Sequence, residues 1–275
     1  MKEYRTEQLR NIVLLSHGGA GKTSLSEAML FNSGAINRLG RVDEGTTVSD
    51  YDPEEMRRKI SVNTSVIPCE WGGHKINILD TPGYADFVGE IKGALRAADS
   101  ALVVLDAVAG VEVGTELVWE YADEIGLPRM LFVNKMDREN ANYDQALAQV
   151  QEALPGRVVS IQLPIGAAES FEGVVDLVKM KAYRGQKWQE GEIPQEMAEE
   201  AQAHRSRLME AAAEADDELL EKYFEEESLT EEEIVRGLSA GMRGGSIIPA
   251  LCGSSLADIG VRALLDACVQ YAPSP

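Results

Sequence analysis

The stretch from Ser16 to Thr23, SHGGAGKT, carries the residue types best suited to chemistry. Gly18, Gly19 and Gly21 reach backbone angles denied to other residues, so successive amides there can turn inward and cradle an anion. Lys22 adds a cation where a following helix would point its first free N–H groups. The Thr23 hydroxyl suits a phosphate-bound Mg2+. Together these residues make the phosphate-loop pattern G-x-x-x-x-G-K-[ST], with Ser16 standing for the first glycine. A glycine-rich turn that binds nothing would share the composition but not this strand-to-helix setting.

Two further clusters follow in order. Asp80-Thr81-Pro82-Gly83 pairs a carboxylate that can hold Mg2+ through water with a glycine whose N–H can reach a terminal phosphate. Asp and Gly also gather in ordinary turns, so this signal gains weight from its position after the loop. Asn134-Lys135-Met136-Asp137 is more specific. A carboxylate at Asp137 accepts two parallel hydrogen bonds from N1–H and the 2-amino group of guanine, and adenine offers neither donor. Lys135 can lay its stem along a purine, and Asn134 can tie this loop to the phosphate loop.

The elements that must position these clusters alternate. Ile12 to Leu15, Ala101 to Ala107 and Arg129 to Val133 are short apolar runs of the kind a doubly covered parallel strand needs. Ser61 to Trp71 and His74 to Leu79 predict a hairpin turning at Gly72-Gly73. Helical spacing follows the phosphate loop, follows Gly83, and spans Thr115 to Ile125. Residues 35 to 59 are polar, of mixed charge and without period, which predicts a long mobile loop, either merely flexible or ordering around a phosphate and its metal with Thr46, Thr47 or Ser61 as a candidate hydroxyl ligand.

A length of 275 residues allows one large domain or two smaller ones, and a net charge of −20 disfavours a broad phosphate-gripping surface for DNA or RNA. The polar N-terminus and the lack of any long apolar run predict a cytoplasmic protein with no membrane segment. Cys69, Cys252 and Cys268 are widely spaced and suggest neither a disulfide framework nor a zinc site.

SHGGAGKT, DTPG, NKMD and CGSSL occur in the order and spacing of translational GTPases, and the chain resembles the G domain of the elongation factor G family. DFVGEIKGALRAADSALVVLDAVAGVE, IGAAESFEGVVDLVKMKA and LLDACVQYAPSP extend the resemblance over nearly the whole length. It implies an α/β P-loop GTPase fold, a mixed six-stranded sheet with helices on both faces, split as a core over residues 1–157 and 247–275. An α+β insertion would occupy residues 158–246, with strands in VVSIQLPIGA and GVVDLVKMKA and helices over Ile193 to Tyr223 and Thr230 to Leu238. It also implies GTP or GDP and Mg2+ as ligands. The nucleotide would be held by His17, Gly18, Gly19, Ala20, Gly21, Lys22, Thr23 and Ser24, by Asn134, Lys135 and Asp137, and by backbone N–H groups of Gly253, Ser254 and Ser255 facing the guanine oxygen. Thr23, Ser61 and Asp80 would serve the metal, and Lys22, Gly83 and Tyr84 the hydrolytic step. The implied partners are the ribosome, through its large-subunit RNA and stalk proteins, for a chain acting as a monomer and as part of a larger factor. The acidic second half of the insertion is expected to be a solvated face.

The chain departs from the family pattern in places. Gly19 stands where an Asp is usual, Gly18 where an apolar residue is usual, Ser61 where the mobile loop has Thr, and Tyr84 where a histidine positions water. These changes point to a specialised paralogue rather than the housekeeping translocase. A ribosomal protection-type GTPase, a GTP switch with negligible hydrolysis, and an ATP-using phosphoryl-transfer enzyme are the competing assignments. A shorter expected insertion disfavours the first and Asp137 the last.

Overall fold

The computed structural model describes residues 2–275. In chain order, β1 (Leu9–Leu15) leads through the glycine loop into α1 (Lys22–Asn32), and a long segment holds the short α2 (Pro53–Arg58). β2 (Ser65–Trp71), β3 (His74–Asp80), α3 (Val88–Ala97), β4 (Ser100–Asp106), α4 (Val113–Glu124), β5 (Arg129–Asn134), α5 (Tyr143–Ala153) and β6 (Val158–Ser160) follow. Then come β7 (Gln162–Ile165), β8 (Gly173–Asp176), β9 (Lys181–Arg184) and β10 (Gln189–Gly191), with α6 (Ala198–Glu214), α7 (Asp217–Glu226) and α8 (Glu231–Arg243). β11 (Ile248–Cys252) and α9 (Val261–Gln270) close the chain.

The main sheet has seven strands in the order β2-β3-β1-β4-β5-β11-β6, not the six expected. All neighbours pair in parallel except the β2–β3 hairpin, whose register places Trp71 opposite His74 across Gly72 and Gly73. Both turn glycines have positive φ, as a two-residue hairpin of matching twist requires. Every residue of β4 and β5 is buried, which is what covering both faces of a parallel sheet demands. Helices α1 and α9 pack on each other, as do α3 and α4.

The seventh strand comes from VVSIQLPI, which the chain divides between two sheets. Val158 to Ser160 pairs with β11, while Gln162 to Ile165 pairs antiparallel with β8 in a second sheet ordered β10-β9-β8-β7. Ile161 is the crossing point: its N–H donates to Ala250 O at 3.0 Å, and its carbonyl accepts from Leu177 N at 3.1 Å. Helix α6 packs on α7 and α8 and against β6 at the edge of the main sheet. The helical run expected over Ile193 to Tyr223 is broken at Asp216, whose carboxylate caps α7 through the amides of Glu218 and Leu219.

Residues 35 to 59 are more ordered than their composition predicts. Asp52 caps α2 and receives the Glu54 amide at 2.8 Å, Pro53 takes the first helical position, and Glu55 completes a capping box. Buried Glu55 also accepts from the amides of Val62 and Asn63, at 2.9 and 3.0 Å. Buried Glu27, on α1, binds the amides of Gly40 and Val48. Burial holds the Glu27 carboxyl above its ordinary range, and those two amides oppose the shift.

Two buried carboxylates therefore pin the two halves of the loop. Glu27→Ala is expected to remove two charge-assisted bonds and to destabilise the segment by about 2–4 kcal/mol. Amide exchange at Gly40 and Val48 checks this, since both should lose protection; retained protection would contradict the anchor.

Candidate nucleotide site

The C-terminal ends of β1, β3, β4, β5 and β11 lie side by side at one edge of the parallel sheet, where open α/β folds bind their ligands. The SHGGAGKT loop leaves β1 there and ends at the start of α1. Gly19 and Gly21 adopt φ of 86° and 100°, so glycine is needed at both. A Cβ at Gly21 would also fall 2.5 Å from Asn134 Nδ2. A cavity of about 490 Å³ opens over the loop, within the range of about 300–1,000 Å³ usual for ligand sites. Gly18, Gly19, Gly21, Lys22, Thr23 and Ser24 line it, together with Lys135, Asp137 and Ser255. Ser61, Gly83 and Tyr84 lie along it as well.

Lys22 is buried under the loop. Its Nζ donates to Ser16 Oγ at 3.0 Å and to the carbonyls of Ser16 and His17 at 3.4 Å. Burial pushes its pKa down to about 8, against the pull of Asp80 and Asp50. A buried ammonium surrounded by neutral acceptors favours an anionic ligand, which would stabilise its charged form and raise its pKa again.

Five oxygen-bearing side chains converge beside it. Thr23 Oγ1 and Ser61 Oγ are 3.1 Å apart, Ser61 Oγ donates to Asp50 Oδ1 at 2.7 Å, and Ser26 Oγ donates to Asp80 Oδ2 at 3.1 Å. Asp80 Oδ1 and Asp50 Oδ2 are buried without a partner among the described residues. Burial raises both carboxyls, that of Asp50 to about 6 and that of Asp80 against the opposing pull of Lys22. Orphaned carboxylate oxygens beside two hydroxyls form a hard oxygen set, which fits Mg2+. Thr23, Ser61 and Asp80 thus come together as expected from sequence. Asp50 is the member that sequence reasoning missed, because nothing in VSDYDPEE marks which acid turns inward.

At the other end, Asn134 Nδ2 donates to Ala20 O at 3.0 Å and its Oδ1 accepts from Ser255 N at 2.9 Å. Lys135 Nζ donates to Gly19 O and to Asp106 Oδ2, both at 2.6 Å. Burial works against the Asp106 charge. The Lys135 bond and the amides of Val108 and Ala109 nonetheless hold its carboxyl below its ordinary value. Asp106 therefore fixes the Lys135 stem, a role signalled only by its place at the end of a buried strand, like Asp80.

Several expected contacts fall elsewhere. The His17 side chain turns away from the cavity: Nδ1 lies 3.0 Å from Thr115 Oγ1, and burial lowers its pKa, leaving a neutral ring tied to α4. His17, Ala20, Asn134, Gly253, Ser254 and Asp80 do not line the cavity. The amides of Gly253, Ser254 and Ser255, expected to face a base oxygen, donate instead to Val133 O, Ile259 O and Asn134 Oδ1, each at 2.9 Å. A β-strand end and a tight β-bridge consume the first two. The Leu256 amide, also at the cavity wall, has no partner among the described residues.

The family model of the elongation factor Tu GTP binding domain matches residues 7–274. The chain belongs to this family. Within it, the chain is similar to elongation factor G of Thermotoga petrophila, 43% identical over 274 residues that cover 98% of this chain and 39% of the relative. Elongation factor G of Thermotoga maritima is 42% identical over 98% of this chain and 40% of its own length. A crystal structure from Thermus thermophilus superposes with a TM-score of 0.92 at 42% identity, covering 98% of this chain and 41% of that one. The chain thus spans about two fifths of the length of the curated relatives it matches. Lys22 and Asp137 both line the one cavity. Among the described residues, no helix is long and apolar enough to cross a membrane.

Proposed function

We propose that this domain binds GTP with Mg2+ and hydrolyses it as the nucleotide-binding part of a cytoplasmic, ribosome-associated factor of the elongation factor G type. The observation that supports this most is one cavity lined both by a buried lysine under the glycine loop and by the Asp137 carboxylate of the N-K-M-D stretch. Phosphates would lie over Gly19 to Thr23, with Lys22 neutralising charge as it develops on the transferred group. Asp137 would accept the N1–H and 2-amino donors, and Leu256 N–H would meet the guanine oxygen. Mg2+ would be held by the hydroxyls of Thr23 and Ser61, with Asp80 and Asp50 ordering its water shell; it supplies charge neutralisation at the phosphates. The insertion is assigned to residues 158–246, of which Val158–Ser160 joins the main sheet, and the domain acts as a monomer. Large-subunit RNA and stalk proteins are its partners.

Hydrolysis by this stretch alone should be slow, with stimulation requiring parts of the factor beyond these residues. GTP turnover by the intact factor, with and without ribosomes, tests this: strong ribosomal stimulation is expected. Equal turnover in both conditions would contradict a ribosomal role.

Asp50 provides a narrower test. Asp50→Asn should raise the Mg2+ concentration needed to retain nucleotide by about 10–100-fold, the usual cost of losing an outer-sphere carboxylate. Nucleotide release followed across a Mg2+ titration reads this directly, and an unshifted midpoint would remove Asp50 from the metal site.

A further inference from the structure

Gly18 is a glycine for a different reason from its neighbours. Gly19 and Gly21 need positive φ, whereas Gly18 does not adopt it, so its backbone would accept any residue. The space above it would not. A Cβ at position 18 would lie 2.9 Å from Tyr84 Cζ, 3.1 Å from Cε1 and 3.2 Å from Cε2. The hydroxyl-bearing end of the Tyr84 ring therefore rests on the Gly18 Cα.

The chain before the ring is held just as closely. A Cβ at Gly83 would meet Lys22 Nζ at 2.7 Å and Gly18 Cα at 2.8 Å. Thr81 Oγ1 donates to Leu14 O at 2.6 Å, and the Phe87 amide closes a turn onto Tyr84 O at 3.0 Å. Tyr84 remains 45% exposed, so one face lies on the loop while the rest meets solvent at the cavity. An aromatic ring half in water that rests where position 18 has no side chain is held there by shape rather than by a buried pocket.

We propose that Gly18 and Tyr84 form one positioning pair, in which the absent side chain at 18 is the seat that holds the Tyr84 phenol at the phosphate end of the cavity. The pair rests on the nucleotide reading above. A phenol hydroxyl both donates and accepts, so a seated Tyr84 can order a water there, while its ring shields one side of the site. Any side chain at 18 lifts the ring and dissolves that geometry without touching Lys22 or the base end.

The test is a double-mutant cycle on this chain, with Gly18→Ala and Tyr84→Ala made singly and together, and Gly18→Ala also placed on Tyr84→Phe. Two quantities are read for each: the single-turnover GTP hydrolysis rate, and the ratio of GTPγS to GDP affinity. With Tyr84 present, Gly18→Ala is expected to lower the rate about tenfold and to change the affinity ratio severalfold, with a smaller effect on GDP affinity itself. In the Tyr84→Ala background the same change should have less than about a twofold effect on either quantity. In the Tyr84→Phe background, where the ring is kept, its effect should persist. Equal effects of Gly18→Ala in the presence and absence of the ring overturn the pair. Retained GDP binding identifies folded variants, and failure of the parent chain to bind GDP at all would overturn the nucleotide reading and the pair with it.

Discussion

Lys22→Ala is expected to weaken GTP and GDP binding by about two to three orders of magnitude, through loss of charge-assisted bonds to phosphate worth about 3–4 kcal/mol in total. Lys22 is fully enclosed and held at the low value of about 8 by burial, so its ammonium is poorly solvated before any ligand arrives. Its three present acceptors, Ser16 Oγ and the carbonyls of Ser16 and His17, are neutral. A phosphate oxygen would be the first full negative charge in direct contact. Removing the lysine also leaves a hole between the loop and Gly83, so the glycine backbone loses a packing partner as well. Titration with a fluorescent GDP reads the effect. An affinity within a few-fold of the parent would mean that the loop serves only the fold.

Asp137→Asn should have a comparably large effect, but on selectivity. A carboxylate in a partly enclosed site that pairs two donors of guanine is left unpaired by adenine, at a cost of several kcal/mol. The amide offers an N–H where xanthine presents a carbonyl, so the variant should lose guanine nucleotides and gain xanthosine nucleotides by about a hundredfold or more in ratio. The scaffold favours an isosteric effect. Lys135 is fixed by Gly19 O and Asp106, Asn134 by Ala20 O and Ser255 N, and the Met136 amide donates to Gly253 O at 3.1 Å. None of these bonds involves the Asp137 side chain, so the loop should stand when Asp137 changes. Unchanged guanine preference in the variant would move the base elsewhere in the cavity.

The strands that carry the site are legible in the sequence because parallel strands covered on both faces leave unbroken apolar runs, as in ALVVLDA and RMLFV. The motifs at their ends are legible because a glycine loop, a D-x-x-G and an N-K-x-D each need particular residue types. The short strand Val158–Ser160 is not, since VVSIQLPIG reads as one strand until a neighbouring sheet divides it at Ile161. Helix α2 carries its signal in Asp-Pro-Glu-Glu, but six residues are too few to show a period. Asp50, Asp106 and Leu256 depend on which way a polar group turns, and burial decides that only in three dimensions. Gly18 and Tyr84 stand out separately in the sequence as departures from the family pattern. Their contact joins them.

The central claim is that one cavity is selective for guanine nucleotides through Asp137 and holds their phosphates through Lys22. The most direct measurement is a side-by-side titration of this chain with fluorescent GDP and ADP in the presence of Mg2+. The expected result is saturable GDP binding with ADP weaker by about two orders of magnitude or more. Equal affinities for GDP and ADP, or binding of neither, would contradict it.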